Sequence, residues 1–128
     1  MHPPLTVSEA AEHLGLTADT LRYYERDGLL LTPVGRAASG HRRYSADDLR
    51  WITLVTRLRS TGMAIRDVRR YADLVRSGRG NEQERLALLQ EHRTKVLAQL
   101  AEVQAHLGAI DHKIGIYTDA VEGRPLAG

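Results

Sequence analysis

The stretch TADTLRYYERDGLL, residues 17–30, places two adjacent tyrosines between arginines in one short amphipathic run. The whole chain of 128 residues has only five tyrosines, one tryptophan and no phenylalanine, so this pairing is notable. Thr17 is a good helix N-cap and Gly28 a good helix stop, which predicts a helix from Thr17 to about Asp27. Two arrangements fit this stretch equally well: Tyr24 shares the core while Tyr23 points outward to DNA, or both tyrosines are half-buried core residues.

A second, shorter helix is predicted just before this one. Its sequence EAAEHLG follows Ser8, which we take as its N-cap, and Gly15 ends it. A short helix, a tight glycine turn and a second helix form the helix-turn-helix pattern, whose second helix presents its N-terminal turns to base edges in the major groove. On the second helix here, the residues predicted to face DNA are Thr17, Ala18, Arg22 and Tyr23.

Residues 29–44, LLLTPVGRAASGHRRY, interrupt the helical period. The proline and glycines there forbid a continuous helix and predict a short β-hairpin, with its tip between Gly35 and Gly40. A hairpin after a helix-turn-helix is a wing, and its basic side chains would bind phosphates. The predicted wing contacts are Arg36, His41 and Arg42; Arg43 ranks lower because a salt bridge to Asp47 or Asp48 is the alternative.

Two further helices follow the predicted wing. Ser45 opens the first of them and Gly62 ends it, with Arg59 near its end as a further DNA-binding candidate. The other runs from about residue 65 to 77, and Ala64 at its start leaves a weak cap. Residues 1–76 would therefore form a winged helix-turn-helix head with a linking helix pair, and residues 77–81, SGRGN, a linker.

A long helical pattern without proline runs from Glu82 to about Asp119. At 1.5 Å per residue it would be about 55 Å long, too long to bury an apolar stripe inside so small a chain. A heptad starting at Leu86 makes nine of ten a and d positions apolar, which indicates a dimerisation coiled coil. The predicted seam residues are Leu86, Leu89, Val96, Leu100, Val103, Leu107, Ile110, Ile114 and Tyr117, with Arg93 as the polar exception.

The b positions of this helix are all small residues: Ala87, Thr94, Ala101, Gly108 and Gly115. Gly108 and Gly115 lie seven apart, at the b position of successive heptads. Because each glycine costs a helix interior about 1 kcal/mol relative to alanine, we predict that another backbone approaches closely there. Residues 120–128 are predicted to be a flexible tail.

Composition excludes several classes of function. The chain has no cysteine, which removes disulfides, thiolate metal sites and thiol switches. No apolar run is long enough to span a membrane, and the N-terminus lacks a secretion signal, so we expect a cytoplasmic protein. Thirteen arginines and nine acids fall in residues 1–80, whereas residues 81–128 hold more acids than bases. This asymmetry indicates an anionic partner for the front of the chain, although a solvated helical surface is the alternative.

No catalytic or metal-binding constellation is predicted. The histidines of the long helix, His92, His106 and His112, do not converge at i, i+4 spacing and are expected on the solvated surface. Asp47 and Asp48 are explained as charges in the first turn of a helix. We therefore expect no enzyme activity, no metal and no cofactor.

The strings TLRYYERDGLL, GHRRYS and LRSTGMAIRDV together resemble the MerR family of bacterial transcription regulators. The resemblance covers residues 5 to about 76, and the long helix completes the family's architecture. It implies a mainly α fold: a winged helix-turn-helix head, a linking helix pair and a long C-terminal helix that dimerises as an antiparallel coiled coil. By the same resemblance, Arg22 and Tyr23 contact DNA from the recognition helix, Arg36, His41 and Arg42 from the first wing, and Arg59 from the second.

The implied function is regulation of transcription. Family members bind a palindromic operator in double-stranded promoter DNA as homodimers and distort it, so that RNA polymerase engages a promoter with an overlong spacer. Three departures stand out: His41 where tyrosine is common, Ala64 where serine is common, and Arg57 near the place of a sensing thiol. An unidentified small-molecule effector is left open, with a pocket predicted between the coil and the partner's third and fourth helices, near Trp51 and Tyr71.

Two other classes compete with this interpretation. An architectural or excisionase-like protein would use the same winged helix to bend DNA without a direct role in transcription; the dimeric coil argues against it. A coiled-coil scaffold would have no nucleic-acid role, and replacing Arg22 and Arg42 by alanine would then cost no activity.

Overall fold

The computed structural model describes residues 3–31, 35–36, 40 and 42–123 of the chain. Within them the fold is mainly helical, as predicted. The elements run in the order α1 (Val7–Leu14), α2 (Ala18–Arg26), β1 (Gly35–Arg36), β2 (Arg42–Arg43), α3 (Ala46–Ser60), α4 (Ile65–Arg76) and α5 (Glu82–Glu122).

Helices α1 and α2 form the predicted helix-turn-helix. Gly15 adopts a left-handed φ of 69° between them, a conformation that glycine reaches without steric cost. The N-cap of α1 is Thr6, so the prediction of Ser8 was wrong. The side chain of Thr6 accepts a hydrogen bond from the Glu9 backbone N–H at 3.2 Å, and the Glu9 carboxylate accepts one from the Thr6 backbone N–H at 2.9 Å. This reciprocal pair satisfies two N–H groups, whereas a cap at Ser8 would satisfy neither.

The wing is the two-stranded antiparallel sheet of β1 and β2, with Gly35 opposite Arg43 and Arg36 opposite Arg42. A backbone bridge between Leu5 and Tyr44, with N–O distances of 2.8 and 2.9 Å, attaches the base of this hairpin to the segment before α1. The predicted tip lies largely outside the described residues.

Helices α3 and α4 begin as the sequence predicts. Ser45 caps α3 in a capping box with Asp48, whereas Ala64 before α4 makes no side-chain cap. The core of the head is formed by one face of each of its helices, packed around the base of the wing. Its fully buried large side chains are Leu21, Leu29, Tyr44, Ile52, Val55 and Val68.

The chain divides into two compact units, residues 1–90 and 91–128. The first turns of α5 thus belong with the head, and Leu89 packs against the head's core. Helix α5 continues to Glu122, three residues beyond the predicted end at Asp119. No helix among the described residues is both long and apolar enough to cross a membrane.

Candidate nucleic-acid interface

Helix α2 presents a polar surface because its apolar residues face the core. Leu21 is fully buried and Tyr24 is 6% exposed. Thr17 caps the helix by accepting a hydrogen bond from the Thr20 backbone N–H at 3.1 Å. The side chains of Asp19 and Arg22 are left exposed near the N-terminal end of α2, and Ala18 is half-buried.

The paired tyrosines divide between two environments. Tyr24 is in the core, which confirms that part of the prediction. Tyr23 is half-buried: its ring lies 6.1 Å from that of Tyr24 at 58°, and the Arg26 guanidinium lies 5.8 Å from its centroid. The DNA contact predicted for Tyr23 therefore stays a prediction for a side chain that is only partly outward.

Two of the predicted DNA-binding arginines are held by carboxylates of α2. Arg22 donates through Nη1 to Asp19 at 2.9 Å, one turn earlier on the same helix. Arg42 on β2 donates through Nε to Glu25 at 2.6 Å, and this partly buried pair joins the wing to α2. Both arginines are thus positioned in advance, which reduces the entropy lost when they bind an anion.

The alternative that Arg43 pairs with Asp47 or Asp48 is not what the structure shows. The Asp48 carboxylate accepts from the Ser45 backbone N–H at 2.9 Å, and Asp47 pairs with Arg50. Arg43 lies near Glu9 instead. The pKa of Glu9 is lowered chiefly by its hydrogen bonds to Thr6, with a smaller effect from the charge of Arg43.

Of the remaining predicted DNA contacts, only Arg59 has a described side chain. Arg36 lies on β1, but its side chain is outside the described residues, and so is His41. Arg59 is exposed near the end of α3, and its guanidinium donates to the Met63 carbonyl oxygen between α3 and α4. The structure brings Arg22 and Arg42 to one surface; the DNA contacts themselves remain predictions.

Sequence reasoning missed the residues that hold the turn after α2. Arg69 donates to the Asp27 carboxylate at 2.6 Å, Arg76 donates to the Gly28 carbonyl at 3.2 Å, and Trp51 donates to the Leu29 carbonyl at 2.7 Å. The hydrogen bond from Arg69 is the main cause of a lowered pKa of Asp27. Arg69 and Arg76 are seven residues apart, hence on one face of α4, and this spacing was the available signal.

An open groove of about 610 Å³ lies beside Trp51. Leu30, Leu31, Leu54 and Trp51 supply its apolar lining, and Tyr71 stacks on Trp51 with 5.7 Å between ring centroids. This groove lies within one chain and Tyr71 does not line it, so it is not the pocket predicted between the coil and the partner's helices. Binding of an effector there stays a prediction.

The predicted seam of α5 carries large apolar side chains that are about half exposed. Those that are 50–61% exposed are Leu86, Leu100, Val103, Leu107, Ile110, Ile114 and Tyr117, whereas Leu97 beside them is 46% exposed. Val96 is half-buried, and Leu89 gives part of its surface to the core of its own chain. The dimerisation role of these residues is taken up below.

One histidine departs from expectation. His106 and His112 are exposed, but His92 is buried at 8% exposure, so its placement on a solvated surface was wrong. That prediction rested on the heptad positions of the three histidines alone. Among the described residues, no group of three His, Cys, Asp or Glu is arranged to hold a metal ion.

A helix-turn-helix, a β-hairpin wing and arginines on both define a DNA-binding protein of the winged-helix class. A family model described as MerR HTH family regulatory protein matches residues 5–74, and one described as MerR, DNA binding matches residues 49–113. The chain belongs to the MerR family. It is a DNA-binding transcription regulator and not an enzyme.

Similar proteins agree with this assignment. An uncharacterized HTH-type transcriptional regulator of Haemophilus influenzae is 37% identical over 115 residues, covering 90% of this chain and 84% of that protein. HTH-type transcriptional regulator AdhR of Bacillus subtilis is 36% identical over 93 residues, covering 73% of this chain and 66% of that protein.

Solved structures give the same result. The chain resembles the crystal structure of HiNmlR, a MerR family regulator lacking the sensor domain, bound to promoter DNA, with a TM-score of 0.85 and 36% identity over 94% of this chain and 91% of that one. A MerR family regulator from Listeria monocytogenes gives a TM-score of 0.83 at 36% identity over 93% of this chain and 89% of that one.

Proposed function

We propose that the protein binds a palindromic operator in promoter DNA as a homodimer and distorts the duplex to control RNA polymerase. Its place of action is then the cytoplasm, where bacterial promoters are. The similarity to HiNmlR, which is bound to promoter DNA, supports this proposal for the kind of DNA. The exposed apolar surface of α5 supports assembly as a homodimer.

The single observation that carries the proposal is the exposed apolar row on α5. Leu100, Val103, Leu107 and Ile110 fall at successive seam positions, and each is at least half exposed. Full burial of one apolar side chain of this size contributes roughly 1.5–3 kcal/mol, so covering the whole row would add several such contributions to the free energy of association. A second copy of the helix, packed antiparallel, offers the same row in return.

A two-fold dimer would hold two heads at a fixed separation, which matches the symmetry of a palindrome. In each head, Arg22 of α2 and Arg42 of the wing lie on a common surface, available to bases or phosphates. The free energy needed to bend and untwist the duplex depends on its sequence. The protein would therefore also select the operator at positions that no side chain touches. This is how a small protein without a catalytic site would act on a promoter.

The competing classes have less support. The relatives are regulators of transcription rather than excision factors, which disfavours an architectural protein without a transcriptional role. A scaffold with no nucleic-acid role is disfavoured by the match of the head to the family's DNA-binding models.

The assembly is tested by placing a charge in the seam. Leu100→Lys and Leu107→Lys are each expected to convert the dimer to a monomer, because a desolvated ammonium in the seam is strongly unfavourable. Analytical ultracentrifugation gives the mass, and Ala98→Lys, at an exposed position of α5 outside the seam, is the control. A stable dimer that survives both changes would remove the coiled coil from the proposal.

The promoter role is tested by genomic footprinting of the parent protein. Bound sites are expected to be palindromes that lie between the −35 and −10 elements, with a spacer longer than usual. Sites scattered through coding sequence, with no relation to promoters, would contradict the proposal and favour the architectural class.

A further inference from the structure

A groove on the head runs between the segment before α1, the end of α1 and one face of α3. Two adjoining cavities form it, with volumes of about 580 and 310 Å³, and both are open to solvent. His13 and Thr53 line both cavities, so the two are continuous. We call this surface the α1–α3 groove, and nothing described so far assigns it a role.

One wall of the groove is a single row of side chains on α3. Ala46, Leu49, Thr53 and Thr56 recur at intervals of three and four residues, which places them on one face of the helix. Because a helix rises 1.5 Å per residue, Leu49 and the Arg57 backbone are about 12 Å apart along the axis of α3. The groove is therefore elongated and suits an elongated ligand.

The end of the groove beside Leu49 is apolar and firmly held. Leu5 and Leu49 line the larger cavity there and pack against the core of the head. The backbones of Leu5 and Tyr44 are joined by two hydrogen bonds, which fix the opposite wall. A preformed apolar cavity of this kind can accept the apolar part of a small ligand.

The other end of the groove is cationic. Arg57 is exposed, and its guanidinium has no hydrogen bond or ion pair with another described residue. His13 lies beside it as an N–H donor. Arg50 also lines the larger cavity, but its charge is compensated by Asp47. No acidic residue is among the described residues that line either cavity, so this end suits a carboxylate.

The middle of the groove limits the charge of the ligand. Thr53 donates its hydroxyl proton to the Leu49 carbonyl and Thr56 donates its own to the Ile52 carbonyl, both at 2.8 Å. These hydroxyls therefore offer a ligand only their lone pairs. Lone pairs disfavour a second anionic group, so the groove fits one carboxylate on an otherwise uncharged body.

We propose that the α1–α3 groove binds a small monocarboxylic acid whose apolar body is about as long as two fused aromatic rings. The carboxylate lies against Arg57 and His13, and the apolar body lies between Leu5 and Leu49. This site is within one head and does not depend on DNA binding. It is also separate from the effector pocket predicted between the coil and the partner's helices.

A ligand in this groove contacts two parts of the head at once. α1 is the first helix of the helix-turn-helix, and α3 follows the wing. The affinity for the acid therefore depends on how α1 is placed against α3, and the acid in turn favours the placement that binds it best. This gives the head a way to respond to a small organic acid.

The first test is titration calorimetry of the full chain with three acids, naphthoate, phenylbutyrate and octanoate. At least one is expected to bind saturably, with one molecule per chain. The neutral amide of that acid is expected to bind about tenfold more weakly or worse, because the charge-assisted hydrogen bonds to Arg57 are lost.

Variants of the groove separate the two ends of the ligand. Arg57→Gln should weaken the acid about tenfold while leaving the amide unchanged, and Arg57→Lys should restore part of the loss. Thr53→Leu fills the place where the two cavities meet and should weaken acid and amide alike. Arg66→Gln, at an exposed position of α4 outside the groove, is the matched control and should change neither. Thermal melting checks that each variant is folded.

Backbone amide shifts in nuclear magnetic resonance spectra locate the bound acid. The shifts that change should belong to residues 13–14 and 49–57, around the groove. The same titration with Arg57→Gln should need a higher concentration of acid to reach the same shifts.

Four results would overturn the site. Equal affinities for acid and amide would mean that Arg57 holds no carboxylate, and shifts centred on Leu30 and Leu31 would place the acid in the groove beside Trp51 instead. The absence of saturable binding for all three acids up to millimolar concentrations would remove the ligand altogether. A loss of operator affinity in Arg57→Gln, without any acid binding by the parent, would make Arg57 a contact to the DNA backbone. Failure of the parent to bind any operator would end the proposed function but would leave acid binding intact.

Discussion

Tyr44 shows how one side chain links the wing to the core. Its backbone pairs with Leu5, while its ring is fully buried and its hydroxyl has no hydrogen-bond partner among the described residues. A buried polar group without a partner costs about 1–3 kcal/mol. Tyr44→Phe is therefore expected to raise the free energy of unfolding by about 1 kcal/mol, measured by urea denaturation at pH 7 and fixed protein concentration.

Tyr44→Ala is the informative contrast to this change. Loss of the whole buried ring should lower the free energy of unfolding by about 3–5 kcal/mol. If Tyr44→Phe is also destabilising by more than about 1 kcal/mol, the hydroxyl makes a favourable hydrogen bond, contrary to the argument.

The same hydroxyl predicts a dependence on alkaline pH. Burial is the main cause that raises the pKa of Tyr44 above its usual value of 10.0, with Glu25 as a secondary cause. A raised folded pKa gives stability that is fully present below pH 10 and is lost as the pH rises through the folded pKa. Stability should thus fall more steeply above pH 10 in the parent than in Tyr44→Phe, and parallel curves would contradict this.

At the scale of elements, the arginines of α4 anchor the end of the recognition helix. Arg69 donates both to the carboxylate and to the backbone carbonyl of Asp27, at 2.6 and 3.2 Å. Because these side chains are partly exposed, we expect Arg69→Ala to cost only about 1 kcal/mol of stability. Hydrogen exchange is the sharper measurement, and the backbone amides of residues 27–30 should exchange faster in the variant.

Arg66 provides the control for Arg69. It is exposed on the same helix, and its side chain has no hydrogen bond or ion pair among the described residues. Arg66→Ala should therefore leave the exchange of residues 27–30 unchanged. Equal acceleration in both variants would mean that net charge on α4, rather than the contact with Asp27, protects the turn.

The elements were predictable from sequence where a local signal marks their ends. Thr17 before an amphipathic run and Gly28 after it marked the start and end of α2, and Ser45 followed by two acids and Gly62 marked those of α3. The same kind of signal was present for α1, where Thr6 and Glu9 form a capping box, but Ser8 drew the prediction. Thr6 and Ser8 are alternative N-caps, and the capping box of Thr6 with Glu9 is favoured because it satisfies two backbone N–H groups.

Contacts between distant residues were not predictable in the same way. The pairs Arg42–Glu25 and Arg69–Asp27 join residues 17 and 42 positions apart, and no periodic pattern within one element encodes them. Arginines were predicted to bind DNA because their charge suits phosphates, yet Arg42 and Arg69 form ion pairs within the head. His92 was misplaced for the same reason, since its burial does not follow from the heptad alone.

At the scale of the whole molecule, α5 has a surface that one chain leaves uncovered. The apolar row is exposed, and a Cβ added at Gly108 or Gly115 would meet no heavy atom of the described residues within 4 Å, apart from the adjacent backbone of α5 itself. In a lone helix, alanine at these positions would be stabilising by about 1 kcal/mol each. We therefore keep the prediction that a second backbone lies close to these glycines.

Two arrangements of α5 predict opposite effects of a larger side chain on the stability of the dimer. If a partner helix approaches the glycines, Gly108→Leu and Gly115→Leu should each weaken the dimer by about 1–3 kcal/mol through overpacking. If nothing approaches, both should strengthen the helix and leave the dimer unchanged or tighter. Sedimentation equilibrium over a dilution series measures the dissociation constant. Ala109→Leu, at an exposed position about 100° around the helix from Gly108, corrects for the general effect of a larger side chain. A tighter dimer in both glycine variants would mean that the chains meet along a different face.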